Sequence, residues 1–226
     1  MTTTINASTS AGLVNTADTS GILQLQTAGT AAVTIDASQN VTLVKPVVLS
    51  GSSSGAITLA APAVAGTNTA TLPAATGTVM VSGNMPAFSA YNTGGTGVTT
   101  NTFTKIILNN EEFDTNNNFD STTNYRFTPT VAGYYQINGI AYLTASSVIT
   151  SGYLAIYKNG SIYKQSGLGV VSSSVNSIFA SINFLVYLNG STDYVELYGL
   201  IVASSNPSIA AGSAYTSFSG SLARAA

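Results

Sequence analysis

Histidine and cysteine are both absent from this 226-residue chain, which removes the commonest general base and the thiol nucleophile. Eight acidic and six basic side chains remain, together with hydroxyl groups. The segment "GSSSG" at Gly51 formally matches the nucleophile-elbow pattern with Ser53 at its centre. No histidine exists to complete the usual triad, and Ser/Gly repetition produces the pattern by chance. Glu111 and Glu112 are adjacent, so on a strand they face opposite sides and cannot work as a carboxylate pair. Asp193 and Glu196 differ by three positions and face opposite sides in the same way. No catalytic residue is assigned, and the chain is expected not to be an enzyme.

The run "NNEEFDTNNNFD" collects Glu111, Glu112, Asp114, Asn116, Asn118 and Asp120, oxygen donors of the kind calcium prefers. It lacks the EF-hand loop pattern, and Asn-rich segments are ordinary turn chemistry, so a solvated loop is expected. Without cysteine there is no disulfide framework and no thiolate zinc site. No metal ligand and no cofactor are assigned. Tyr134, Tyr142, Tyr153, Tyr157, Tyr163, Tyr187, Tyr194 and Tyr198 fall in predicted strands. They would stack on sugars only if exposed and clustered; the plainer expectation is that most line an inter-sheet core or a three-fold interface. A receptor site is expected in loops and is not localised.

The elements that position these residues follow from composition and period. Only 6% of residues are charged, against roughly 25% in an average globular chain, while 45% are hydrophobic. Ser, Thr, Asn and Gly must supply solubility, a mixture that suits strands and turns rather than helix surfaces. The net charge is −2, and Lys45, Lys105, Arg126, Lys158, Lys164 and Arg224 are scattered, so nucleic acid is not an expected partner. No run approaches the roughly 18 apolar residues of a membrane span, and none is expected to insert. "MTTTINASTS" has neither a basic region nor an apolar core, so no secretory signal is read and synthesis in the cytoplasm is expected.

Composition divides the chain. Residues 1–84 contain Asp18, Asp36 and Lys45 as their only charges and no aromatic residue. Period-two runs such as "GILQLQ" and "AVTID" alternate with small-residue turns there. Without large side chains such a segment builds no conventional core. It either intertwines with copies of itself, lies on a partner surface, or is a flexible linker; the regular aliphatic alternation argues against the last. Residues 85–226 hold every aromatic residue and read as successive strands. "LAIYKNGSIYK" predicts a hairpin through Asn159–Gly160, and "FLVYLNGSTDYVELYG" predicts a second around Asn189 to Asp193. Across the latter, Tyr194, Glu196 and Tyr198 share one face, and Val195 and Leu197 the other. In "YRFTPTVAGYYQI", Pro129 and Gly133 are expected to turn one strand into the next. An all-β jelly-roll sandwich is expected.

This second half resembles the globular head of the complement C1q family, a trimeric jelly roll related to tumour necrosis factor. The resemblance rests on "YRFTPTVAGYYQI", "VYLNGSTDYVELYG" and "TSFSGSLA", and on "FTKIILNNEEFDTNNNFD" before them. The chain departs from the family pattern at Ile137 and Gly139, where aromatics are usual, and by about one residue upstream of Phe127. It implies a homotrimer, structural core markers at Phe127, Gly133, Tyr135, Phe218 and Gly220, and calcium as a candidate ligand. The order of small-residue segments in residues 1–84 resembles the stems of bacteriophage virion fibre proteins. Together the resemblances imply a virion protein, with residues 1–84 as a stem or attachment arm contacting other virion proteins. Residues 85–226 would be a head that binds host-surface carbohydrate or protein. A capsid decoration or cement protein is the alternative, and a secreted bacterial adhesion module a third.

Overall fold

The computed structural model describes residues 20–64, 66–71, 74, 79–81, 83, 85–169 and 175–226. The stretch before Ser20, which includes Asp18, and part of "TATLPAATGTVMVSG" lie outside the described residues. The chain divides into two compact units, Met1–Ala74 and Ala75–Ala226. Met80 packs against the core of the second unit, and the Gly83 carbonyl accepts a hydrogen bond from Asn116 Nδ2 at 3.2 Å. The tertiary contacts of these two residues therefore belong with the C-terminal fold.

In the N-terminal unit, β1 (Leu23–Thr27), β2 (Thr30–Ile35) and β3 (Val41–Leu43) form a three-stranded antiparallel sheet. β4 (Val47–Ser50) and β5 (Ala56–Leu59) form a separate hairpin. Register explains the alternation in sequence. Leu23 and Leu25 stand opposite Ile35 and Val33, which in turn stand opposite Val41 and Leu43. Side chains opposite one another lie on the same face, so these six aliphatics form one side and Gln24, Thr34 and Thr42 the other. In the hairpin, Val47 and Leu49 stand opposite Leu59 and Ile57. Ser53, the centre of the elbow pattern, sits in the turn joining β4 to β5, where Gly51 N–H donates to the Gly55 carbonyl at 2.9 Å. A nucleophile elbow joins a strand to a helix; here strand joins strand.

The C-terminal unit carries β6 (Ala87–Tyr91), β7 (Thr96–Gly97), β8 (Thr104–Lys105), β9 (Asn110–Asp114), β10 (Phe119–Asp120) and β11 (Arg126–Phe127). The long strands follow: β12 (Gly133–Thr144), β13 (Ile149–Lys158), β14 (Ser161–Gly169), β15 (Ser177–Leu188) and β16 (Val195–Ala203), then β17 (Ser208–Ile209) and β18 (Ser217–Ala225). One sheet runs β9-β6-β18-β12-β15, extended by β17 and β7; the other runs β10-β11-β16-β13-β14, with β8 also on β16. From β11 onward the chain crosses between sheets repeatedly, and β11 pairs with β16, β12 with β15, and β13 with β14. Such nested pairing across two sheets is the winding of a jelly roll.

Strict alternation on β12 packs this sandwich. Tyr135, Ile137, Ala141 and Leu143 are buried, while Tyr134, Gln136, Asn138, Ile140 and Tyr142 point the other way. Phe88 stacks on Phe127 at 4.3 Å between ring centroids and on Phe119 at 5.1 Å, with Phe218 edge-on at 5.3 Å. Burial pushes the Tyr135 phenol up to about 12, and its hydroxyl donates to the Val131 carbonyl at 2.7 Å. The five residues the C1q resemblance marks thus occupy this interior: Phe127, Tyr135 and Phe218 are fully buried, and Gly133 and Gly220 are buried on β12 and β18.

Three local expectations resolve differently. Asn159 and Gly160 take φ of 52° and 78°, as a two-residue hairpin requires, and β13 pairs with β14 across them. Asn189 to Asp193 does not close a hairpin, because β15 pairs with β12 while β16 pairs with β13. That turn carries the chain from one sheet to the other. Gly133 is not a turn residue either: it opens β12, and a Cβ there would run into the Arg224 carbonyl and the Leu222 side chain. Close backbone approach, rather than conformational freedom, requires glycine at this position. The run "FTKIILNNEEF" is not one continuous strand, since Ile106 and Leu108 plug the core between β8 and β9.

Candidate interaction surfaces

The Asn-rich run spends its carboxylates on its own backbone. Asp114 accepts from Phe119 N–H at 2.6 Å and from Asn116 N–H at 3.3 Å. Asp120 accepts from the N–H groups of Thr122, Thr123 and Asn124 and from the Asn124 amide. The Thr123 N–H bond is the main reason its carboxyl is held far below the usual carboxylate range. Glu112 instead accepts from the Ser89 hydroxyl at 2.8 Å, whereas Glu111 lines a cleft with Asp120. Among the described residues no three acidic side chains form a metal-ligating group.

Most of the tyrosines lie outside the inter-sheet core. Among the described residues Tyr135 is the buried one, and the others lie on outward faces, in loops or at strand ends. On the outer face of β12 and β15, Tyr134 stands opposite Tyr187 with ring centroids 5.5 Å apart, and Tyr142 stands opposite Phe179 at 4.6 Å. Tyr215 completes the second group, 5.7 Å from Tyr142. Leu185 and Ile140 extend the apolar area, while Asn138 and Asn183 face each other between the two aromatic groups. Phe179 is 55% exposed and Leu185 52%, so this apolar face is open.

On the outer face of the other sheet a group of side chains packs together around Glu196. Tyr157 stacks on Tyr198 at 3.8 Å, and Phe103 meets Tyr157 edge-on at 6.1 Å. Glu196, buried beneath them, accepts from Lys105 Nζ at 2.5 Å. Burial, aided by the Glu196 charge, pushes the Tyr198 phenol up to about 12. The shared face of Tyr194, Glu196 and Tyr198 is as the alternation predicts. Its partners Lys105 and Arg126 carry no local signal, being 91 residues from Glu196 and 68 from Tyr194 in sequence. Arg126 lies over the Tyr194 ring, 4.1 Å from its centroid. At the crossing turn, Asn189 Oδ1 accepts from the N–H groups of Ser191, Thr192 and Asp193. Asp193 pairs with Lys158 at 3.0 Å and accepts from Asn159 Nδ2 at 2.7 Å, the main cause of its lowered carboxyl pKa.

In the N-terminal unit the aliphatic faces described above are open. Leu23 is 44% exposed and Ile57 67%, with Leu25, Val41, Leu43, Leu49 and Leu59 exposed alongside them. No helix among the described residues is long and apolar enough to cross a membrane.

No protein-family model matches the chain, and no curated protein matches it. Solved structures do. The chain is similar to Eiger TNF from S. frugiperda at 10% identity, over 63% of this chain and 93% of that one, with a TM-score of 0.49. It is similar to the globular domain of zebrafish complement 1qA protein at 20% identity, over 62% and 99% of the two chains, with a TM-score of 0.43. Murine APRIL gives 7% identity, 61% and 98% coverage, and a TM-score of 0.46. The strand order and pairing of the C-terminal unit make it, independently of these, an all-β jelly roll.

Proposed function

We propose that the chain is a homotrimeric structural protein of a bacteriophage virion, not an enzyme, whose C-terminal unit binds the host surface. The observation that carries this reading is that each unit, taken by itself, has an apolar sheet face left uncovered by its described residues. In the C-terminal unit it is the Tyr134–Tyr187 and Tyr142–Phe179–Tyr215 face, with Leu185 between. Fully burying one large apolar side chain is worth about 1.5–3 kcal/mol, so open faces of this kind favour association. Two further copies of the chain would cover the aromatic face and bring three N-terminal units together. Trimerisation would also raise the avidity of individually weak surface contacts.

The virion assignment is supported by the order of small-residue segments that resembles fibre stems. The open aliphatic faces of β1–β3 and β4–β5 also favour the decoration reading, in which the N-terminal unit grips a capsid protein. Gold labelling of purified particles separates the two. Label at the tail is expected for a fibre, and label on capsid faces would replace that reading with decoration. Sedimentation of the full chain tests the shared premise: a monomer at micromolar concentration would overturn it.

A further inference from the structure

We propose that the cleft between the two sheet edges, built around Arg126 and Glu111, is a binding site for a neutral saccharide. The inference rests on the surface-binding reading above and names the site and ligand class. The cleft has a volume of about 560 Å³ and is lined from both sheets, by Glu111 of edge strand β9 and by β10, β11 and the loops around them.

Asn118, Asp120, Thr122 and Thr130 bond among themselves and to the local backbone, but the other polar groups of the lining keep free donors and acceptors. Asp120 is the register partner of Arg126 across β10 and β11, and would ordinarily neutralise it. That carboxylate is already saturated by the donors of Thr122, Thr123 and Asn124. Arg126 lies over Tyr194 and makes no hydrogen bond or ion pair among the described residues, so its planar fork is held in place with free N–H donors. The side chains of Glu111, Asn117, Ser121 and Thr128 likewise make no hydrogen bond among the described residues. Asn117 adopts φ of 54° in the turn at the cleft.

This combination selects a polyol. A fixed guanidinium donates to ring and hydroxyl oxygens, a carboxylate accepts from hydroxyl groups, and amide and hydroxyl side chains do either. An apolar ligand would strand these groups. An anionic one would meet Glu111 and Asp120 against the single cation Arg126. Sugars without charge match both the polarity and the charge balance.

The full-length chain is tested on an array of neutral and sialylated oligosaccharides, beside Arg126→Gln, Glu111→Gln, Thr128→Val and, as a control outside the cleft, Lys164→Gln. Binding to a neutral sugar is expected, weakened about tenfold or more in each of the first two variants and unchanged in the control. Circular dichroism and melting temperature check that each variant folds, and isosteric Thr128→Val, expected to weaken binding less, serves if the charged-site variants do not. No neutral-sugar binding, binding only to sialylated glycans, or binding indifferent to all three cleft substitutions would overturn the proposal. Host-cell binding by the same proteins separates the two readings. Cells bound equally by wild type and Arg126→Gln would sink the cleft and leave surface attachment standing, whereas no cell binding with sugar binding intact would do the reverse.

Discussion

Both units are built from antiparallel strands with aliphatic residues at every second position, yet among the described residues one closes a core and the other does not. In the C-terminal unit, β12 buries Tyr135, Ile137, Ala141 and Leu143 against a second sheet, and four phenylalanine rings fill the space between. In the N-terminal unit, Leu25, Val33 and Leu43 line up as regularly, with no second layer among the described residues. The difference is side-chain volume and strand length. Sheets pack about 10 Å apart, and rings fill that gap where short aliphatics on strands of three to six residues do not. Alternation therefore specifies a face; a folded interior also requires enough volume to cover it.

The contrast can be broken most strongly at the rings. Phe127→Ala removes the ring stacked on Phe88 and should cost about 3–5 kcal/mol in chemical denaturation of the full chain. Every aromatic residue lies at or after Phe88, so near-ultraviolet circular dichroism reports the C-terminal unit selectively. Glu196→Gln comes next, because it removes the charge from the buried partner of half-buried Lys105; a loss of about 1.5–3 kcal/mol is expected by the same measurement. Gly190→Ala forces a side chain onto a residue at φ of 72° that abuts the Ala132 backbone, and should cost about 1–3 kcal/mol.

Acid should act more gently. Asp193 and Asp120 have folded-state pKa values below their unfolded ones. Their contribution is complete above the unfolded value near 4 and is lost as pH falls through the folded ones. The melting temperature should decline below about pH 4, and Asp120→Asn should flatten that decline; an equally steep fall in the variant would count against the turn as its source. The smallest effect on the C-terminal unit is expected from Leu25→Ser. Its near-ultraviolet transition should move by less than about 0.5 kcal/mol, as for an exposed site, while particle incorporation falls. A large shift would mean that the two units share one cooperative core.

Much of this was legible in the sequence. The Asn159–Gly160 hairpin, the outward face of Tyr194, Glu196 and Tyr198, and the buried face of Tyr135 and Ile137 all follow from local period and turn chemistry. The tyrosines were harder to place: of the two locations expected, the inter-sheet core takes only Tyr135 among the described residues, and the other rings lie on outward faces, in loops or at strand ends. A hydroxyl-bearing ring suits either location, so residue type does not decide between them.

What sequence alone determined is strand identity, the two faces of each strand and the division into an aromatic-free and an aromatic-rich half, because these depend on residues within a few positions of one another. Tertiary structure decided which sheet each strand joins. It turned Asn189–Asp193 from a hairpin into a crossing, made Gly133 a point of close approach, and brought Lys105 to Glu196 and Arg126 onto Tyr194. Period two encodes up or down. It does not encode which distant strand lies alongside, and the cleft at the sheet edges exists only once that pairing is set.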